Sequence, residues 1–234
     1  MARVARVAFR DASGTEQSLD ADFVFSTIPL TELVGALKGE GEPSATAREA
    51  AAGLAFLRVI LVFLVLRRPS VSNDHWLYFP EAAPRLNRAY ESKNFDASLA
   101  PPDRTVLCLE GTSLAGDPEW ERPDAELARD YARRLASTGL IREDEILESR
   151  VQRLEHGYPL YRVGYAKRLE AIWEALAGVR NLITLGRQGL FLHDNMDHAI
   201  YLGLRAARCW AQSPDPAARW RGEITESRRL KIID

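Results

Sequence analysis

One stretch constrains this chain more than any other: Gly186-Arg187-Gln188-Gly189-Leu190-Phe191-Leu192-His193-Asp194-Asn195-Met196-Asp197-His198-Ala199-Ile200. Asn181 to Leu185 ahead of it reads as a short strand. The stretch is therefore predicted to be a glycine-punctuated turn that leaves a strand and opens directly into a helix. A helix start presents N–H groups without intrahelical acceptors and the positive end of the helix dipole. A fold containing this unit must set a strand end beside a helix mouth, a geometry suited to a phosphate or to the electron-rich edge of a cofactor ring. Gly186 and Gly189 remove side chains where a ligand would approach the backbone. From Asn195 the helix places Met196, Ala199, Ile200, Gly203, Ala207 and Trp210 at helical spacing, predicted as its buried face. Arg205 and Arg208 lie toward its far end, where positive charge suits the dipole.

The 234 residues are enough for one large domain or two small ones, and 46% apolar with 27% charged residues is ordinary for a globular protein. A net charge of -2 and a sequence pI near 6.1 give no electrostatic reason to expect nucleic acid or an anionic membrane as partner. The two cysteines, Cys108 and Cys209, lack metal-ligand spacing, so neither a metal site nor a disulfide framework is predicted and a reducing cytoplasm fits. The opening Met1-Ala2-Arg3-Val4 carries no secretory signal pattern. The apolar run Leu54 to Leu66 falls short of the roughly 18 residues of a membrane helix, so no span is expected.

Along the chain, residues 3–9 alternate as a half-buried strand, Asp11-Ala12-Ser13-Gly14 is turn chemistry, and Phe23 to Thr27 is a second strand, together an opening hairpin. After Pro29, Leu30 to Leu37 and Ala45 to Leu54 read as helices. Phe56 to Leu66, nearly all apolar and β-branched, predicts a strand covered on both faces. Trp76 to Phe79, Thr105 to Glu110 and Val151 to Leu154 read as strands, and Lys93 to Arg104 as loop. Helices follow from Pro123-Asp124, with Leu127, Tyr131 and Leu135 on one face, and around Tyr165, Leu169, Ile172 and Leu176. Beyond Ser213 the Pro- and Arg-rich tail is predicted to be loosely attached.

Three segments, in order, carry a resemblance. Gly-Arg-x-Gly, then Phe191, then Asn195-Met196-Asp197-x-Ala199-Ile200 resembles the C-terminal flavin-contacting signature of the FAD-dependent amine oxidase and protoporphyrinogen oxidase-like superfamily, nearest the branch that includes UDP-galactopyranose mutase. Ser26-Thr27-Ile28-Pro29 resembles that superfamily's strand beside the cofactor, and Tyr158-Pro159-Leu160-Tyr161 that branch's Tyr-Pro segment. The resemblance implies an α/β (α+β) fold: a mixed antiparallel substrate-domain sheet with helices, plus the C-terminal pieces of a Rossmann-like FAD domain. Members of the superfamily begin with a strand–GxGxxG–helix unit for the ADP half of FAD, and no GxGxxG occurs here. The expected organisation is residues 1–54 of FAD-domain type, 55–164 as the substrate-type domain, 165–212 as the flavin-contacting segment and 213–234 as the tail. The pyrophosphate cradle is then left to an upstream half or a partner chain.

By this resemblance Thr27, Pro29, Gly186, Arg187, Gly189, Asn195, Met196 and Asp197 are the cofactor-side residues, for a noncovalent FAD. Arg187 and Tyr158 match positions implied in meeting a substrate phosphate, and His193 joins them on the substrate side. His193 falls where the mutase branch has a tyrosine, and Asn195 where it has an aspartate; both departures count against a sugar nucleotide. Asp197 fits a cofactor contact or a helix-start carboxylate acting on the dipole alone. Trp76 and Tyr78, on one strand face, fit an aromatic pocket or sheet packing, and His156 and His198 fit surface or packing roles. The reading that follows is the substrate domain and flavin-side contacts of an oxidoreductase acting on a small molecule. Its alternatives are a redox-neutral sugar-nucleotide mutase and a non-catalytic truncated or split-gene fragment.

Overall fold

The computed structural model describes residues 1–80 and 86–227. The chain forms two compact units: Phe56–Gly157, and Met1–Ala55 together with the chain from Tyr158 onward.

The Phe56–Gly157 unit is built on an antiparallel sheet. Its strands are β4 (Ala55–Leu66), β5 (Leu77–Tyr78), β6 (Leu86–Glu91), β7 (Thr105–Ser113) and β8 (Ile146–Leu160), in the spatial order β5-β6-β7-β4-β8. The apolar run of β4 sets the register, with Val62 opposite Leu109 and Leu64 opposite Leu107. These side chains share one face, and helix α3 (Asp124–Ser137) covers it with Leu127, Tyr131 and Leu135, all fully buried. The other face of β4, carrying Leu61, Phe63 and Val65, is only half-buried. The prediction of a strand covered on both faces is thus corrected: β-branched density here reflects one dense core face and an antiparallel partner, not a parallel sheet between helix layers. The segment read as loop from Lys93 to Arg104 holds two short 3-10 turns, and the Lys93 ammonium donates to the carbonyls of Pro69, Pro101 and Arg104 at 3.0, 3.2 and 3.1 Å.

In the other unit, β1 (Arg6–Arg10) and β2 (Glu16–Asp20) form the opening hairpin, turning at Gly14 with φ of 82°. Both strands are exposed throughout, and the predicted pairing with the second apolar strand does not form. That strand, β3 (Val24–Ser26), instead pairs in parallel with β9 (Leu182–Thr184). Helix α1 (Leu30–Ala36) follows β3, and α2 (Ala45–Ala52), capped by the Ser44 hydroxyl, packs on α4 (Tyr165–Leu176). The predicted direct passage from turn to long helix is also corrected. Gly186 opens a short helix, α5 (Gly186–Leu190), which stops at Phe191 in left-handed backbone (φ 50°); the long helix α6 (Met196–Gln212) begins only after Asn195.

Helix α6 buries Leu202, Ala206 and Cys209, not the predicted face. Met196, Ile200, Ala207 and Trp210 are exposed, and a Cβ at Gly203 would meet open space. The predicted loose tail is helix α7 (Pro216–Ser227), started by the Asp215 carboxylate accepting from the Ala218 N–H at 2.9 Å. Its Trp220 is buried and donates its indole N–H to the Thr184 carbonyl at 2.8 Å, so α7 is part of the core. Positions 228–234 of the predicted tail lie outside the described residues. No helix among those described is long and apolar enough to cross a membrane.

Candidate functional site

The parallel pair β3–β9 organises the site. Parallel strands point their carboxyl ends to the same edge, and ligands of open α/β sheets gather beyond those ends. Here β3 runs into Thr27-Ile28-Pro29 and β9 into Leu185-Gly186-Arg187, tied together by the Leu185 N–H donating to the Ser26 carbonyl at 2.9 Å. Thr27 and Ile28 are exposed at this edge. Pro29 is buried; its carbonyl accepts the first N–H groups of α1, so its role in the fold is to begin that helix.

The two motif glycines differ. Gly186 holds φ of 78° with open space where a Cβ would stand, so its backbone is accessible. A Cβ at Gly189 would come within 2.7 Å of the Thr184 hydroxyl and 3.2 Å of the Ser26 carbonyl. Close packing by the protein itself requires that glycine, and the predicted removal of its side chain for ligand approach is not what the geometry uses.

At the start of α6, the His198 ring Nδ1 accepts from the Asn195 N–H at 3.4 Å, which gives this histidine a capping role. Met196 is 79% exposed and the Asp197 carboxylate is exposed as well. The helix mouth is therefore open to its surroundings at its first two residues. Asp197 meets only His198 among the described charges, at 3.9 Å.

On the substrate side three predicted residues come together. The Arg187 guanidinium lies over the Tyr158 ring, 4.7 Å from its centroid, and the Tyr158 and His193 rings stand 5.2 Å apart. Sequence reasoning missed what holds them. Arg187 Nε donates to Asp194 Oδ1 at 3.0 Å, and Arg187 Nη2 donates to the Asp194 carbonyl. Asp194 is 2% exposed. The Tyr161 hydroxyl accepts from the His193 N–H at 2.7 Å, and Tyr161 stacks on Tyr165 at 4.6 Å. Buried Phe191 completes this aromatic layer, 5.9 Å from Tyr161. A non-glycine residue in left-handed backbone stores strain of roughly 1 kcal/mol, and such strain collects where side chains must be aimed. Phe191 reverses the chain after α5, with the Leu192 N–H donating back to the Arg187 carbonyl at 3.0 Å, and so turns His193 and Asp194 toward Arg187.

The remaining candidates separate from this edge. Trp76 packs on Tyr90 and under the Arg88 guanidinium, and His156 packs on Phe56, all in the other unit. Burial pushes the Cys108 thiol up to about 11 and also raises the Cys209 thiol, so neither is an activated nucleophile. Among the described residues no group of three or more His, Cys, Asp or Glu side chains is placed to hold a metal.

No family model matches the sequence, and no curated protein matches it either. Solved structures do. A reduced UDP-galactopyranose mutase superposes with a TM-score of 0.72 at 20% identity, covering 94% of this chain and 47% of the mutase. A protein described as a protoporphyrinogen oxidase, from Exiguobacterium sp. 255-15, superposes with a TM-score of 0.59 at 19% identity, covering 99% of this chain and 46% of the other. The likeness is one of fold, and this chain spans about half the length of the structures it matches.

Proposed function

We propose that this chain supplies the substrate-side sheet and the isoalloxazine-side contacts of an FAD-dependent oxidoreductase of the amine oxidase and protoporphyrinogen oxidase-like superfamily. The observation that carries the reading is the open carboxyl edge of a parallel strand pair, with Thr27-Ile28 exposed and the Gly186 backbone open, in the unit that also leaves the start of α6 uncovered. Bound flavin would supply the two-electron acceptor for oxidation of a substrate C–H bond. The chain's own groups then have separate tasks. The Met196 and Asp197 end of α6 would offer its positive dipole end to a bound ring. The Tyr158, His193 and Arg187 cluster orients the substrate, and the Tyr161, Tyr165 and Phe191 layer fixes that cluster. No protein nucleophile is required.

The reading includes a second component carrying the strand–GxGxxG–helix half, as a further segment or a partner chain. An isolated two-stranded parallel pair is unusual, because parallel sheets are normally wider and covered. The exposed apolar face of α6 supports the same conclusion. Riboflavin, the ring without its adenylate half, tests the cofactor side directly. Hydrogen exchange at the Gly186, Met196 and Asp197 amides should slow when millimolar riboflavin is added, whereas the exposed β1–β2 hairpin should not respond. Unchanged exchange at all three amides would overturn the assignment.

A further inference from the structure

We infer that Asp194 is a specificity-determining residue that closes the Arg187 site to phosphate-like dianions and leaves it to uncharged substrates. An arginine serves as an anion receptor when its planar fork is available for bidentate contact and its charge is uncompensated. Arg187 meets neither condition. Its Nε edge is already engaged, with Nε on Asp194 Oδ1 at 3.0 Å and Nη2 on the carbonyl of the same residue. One face of its guanidinium is covered by the Tyr158 ring.

The carboxylate that neutralises it is the more deeply buried partner, with side-chain exposure of 3% against 32% for Arg187. Asp194 Oδ2 is buried and has no hydrogen-bond partner among the described residues. The negative charge of the pair is thus less hydrated than the positive charge. An incoming dianion would have to displace Arg187 from a carboxylate that has no other cation within ion-pair distance among the described residues, and would be repelled by that carboxylate as it arrived. The cluster around the pair (Tyr158, His193, Tyr161) is aromatic and uncharged or weakly basic, which suits a planar or apolar molecule.

The inference rests on the proposed function only in placing Arg187 on the substrate side; the latch itself is independent of flavin, and its test contains none. Inorganic pyrophosphate is the probe, titrated calorimetrically into the full chain and its D194N and D194N/R187Q variants. The wild type should bind weakly or not at all. D194N, which keeps the shape and removes the compensating negative charge, should tighten binding at least about tenfold, and the double variant should lose that gain. Equal affinity of wild type and D194N, or a gain that survives R187Q, would overturn the proposal. A second readout needs no variant: the Arg187 Nε–H resonance of the wild type should be protected from solvent exchange and unmoved by millimolar pyrophosphate. A saturable shift of that resonance would sink the latch even if D194N failed to fold.

Discussion

The two units solve the burial problem differently. In Phe56–Gly157, the inner face of β4 and β7 shares one buried cluster with α3, in which Leu64, Leu107, Leu109, Leu127, Tyr131 and Leu135 have no measurable exposure. The unit that begins at Met1 and resumes at Tyr158 also has a dry centre, around Ile183, Leu202 and Trp220. Yet it leaves Phe25, Ile28, Met196, Ile200, Leu204 and Trp210 exposed. The Phe56–Gly157 unit exposes Tyr78, Phe95, Leu99 and Leu114 as well, but on separate segments around its closed core. The more open unit sets Met196, Ile200 and Leu204 along one helix, and it also carries the strand ends and helix mouth of the candidate site.

The largest effect that sharpens this contrast is in the closed core. Leu109→Ala removes a side chain packed between β4, β6 and α3 and should destabilise the Phe56–Gly157 unit by about 2–5 kcal/mol, through lost transfer energy and a cavity that the sheet cannot collapse. Chemical denaturation followed by tryptophan fluorescence measures it. A loss below about 1 kcal/mol would show that this core is less tightly packed than its burial implies.

The next effect is electrostatic and reads the opposite face of the same sheet. Cys108 lies on β7 opposite Tyr90, and burial pushes its thiol from 9.0 up to about 11 while burial also raises Tyr90 and Tyr131. A folded-state value above the unfolded one means that the native state holds the proton more tightly. The thiol's contribution to stability is therefore complete below about pH 9 and is lost as pH rises toward 11. Cys108→Ala should flatten the alkaline limb of a stability–pH curve over that interval without altering it at neutral pH relative to the variant's own baseline. An unchanged slope between the two proteins would place the alkaline transition on other raised groups, Tyr90, Tyr131 and Cys209 among them.

The contrast also accounts for what could be read from residues. Helices α3 and α4 were legible because each has one apolar stripe and a clear stop, Gly139 and Gly178. Strand β2 was not, since Glu-Gln-Ser-Leu-Asp has no buried face to leave a pattern, and β6 was hidden by an irregularity between Leu86 and Arg88 that breaks the two-residue period. Helix α6 is apolar on both sides, and sequence alone favoured the side that the unit exposes. Its periodicity records two apolar faces, of which one is internal. Helix α7 did carry a start signal, Asp215 followed by Pro216, but its arginines read as a tail. At the site, Arg187, Tyr158 and His193 were found by motif and do meet. Asp194 was invisible because a carboxylate next to a capping residue usually belongs to solvent, and only the turn at Phe191 brings it under Arg187.

The smallest effect on stability is the one that bears most directly on the open unit. Ile200 and Leu204 lie on the solvent side of α6, with Leu204 57% exposed. Replacing both with serine removes apolar surface that the unit does not use internally, so the folding free energy should change by less than about 0.5 kcal/mol per site. The same change should alter how the protein behaves toward other molecules, because a contiguous apolar helix face in water favours association. Sedimentation of the wild type should show concentration-dependent self-association that I200S/L204S abolishes. If instead the double variant unfolds several kcal/mol more easily, the face is part of the unit's own core. The division between a closed unit and an open one would then fail, and with it the case for a second component.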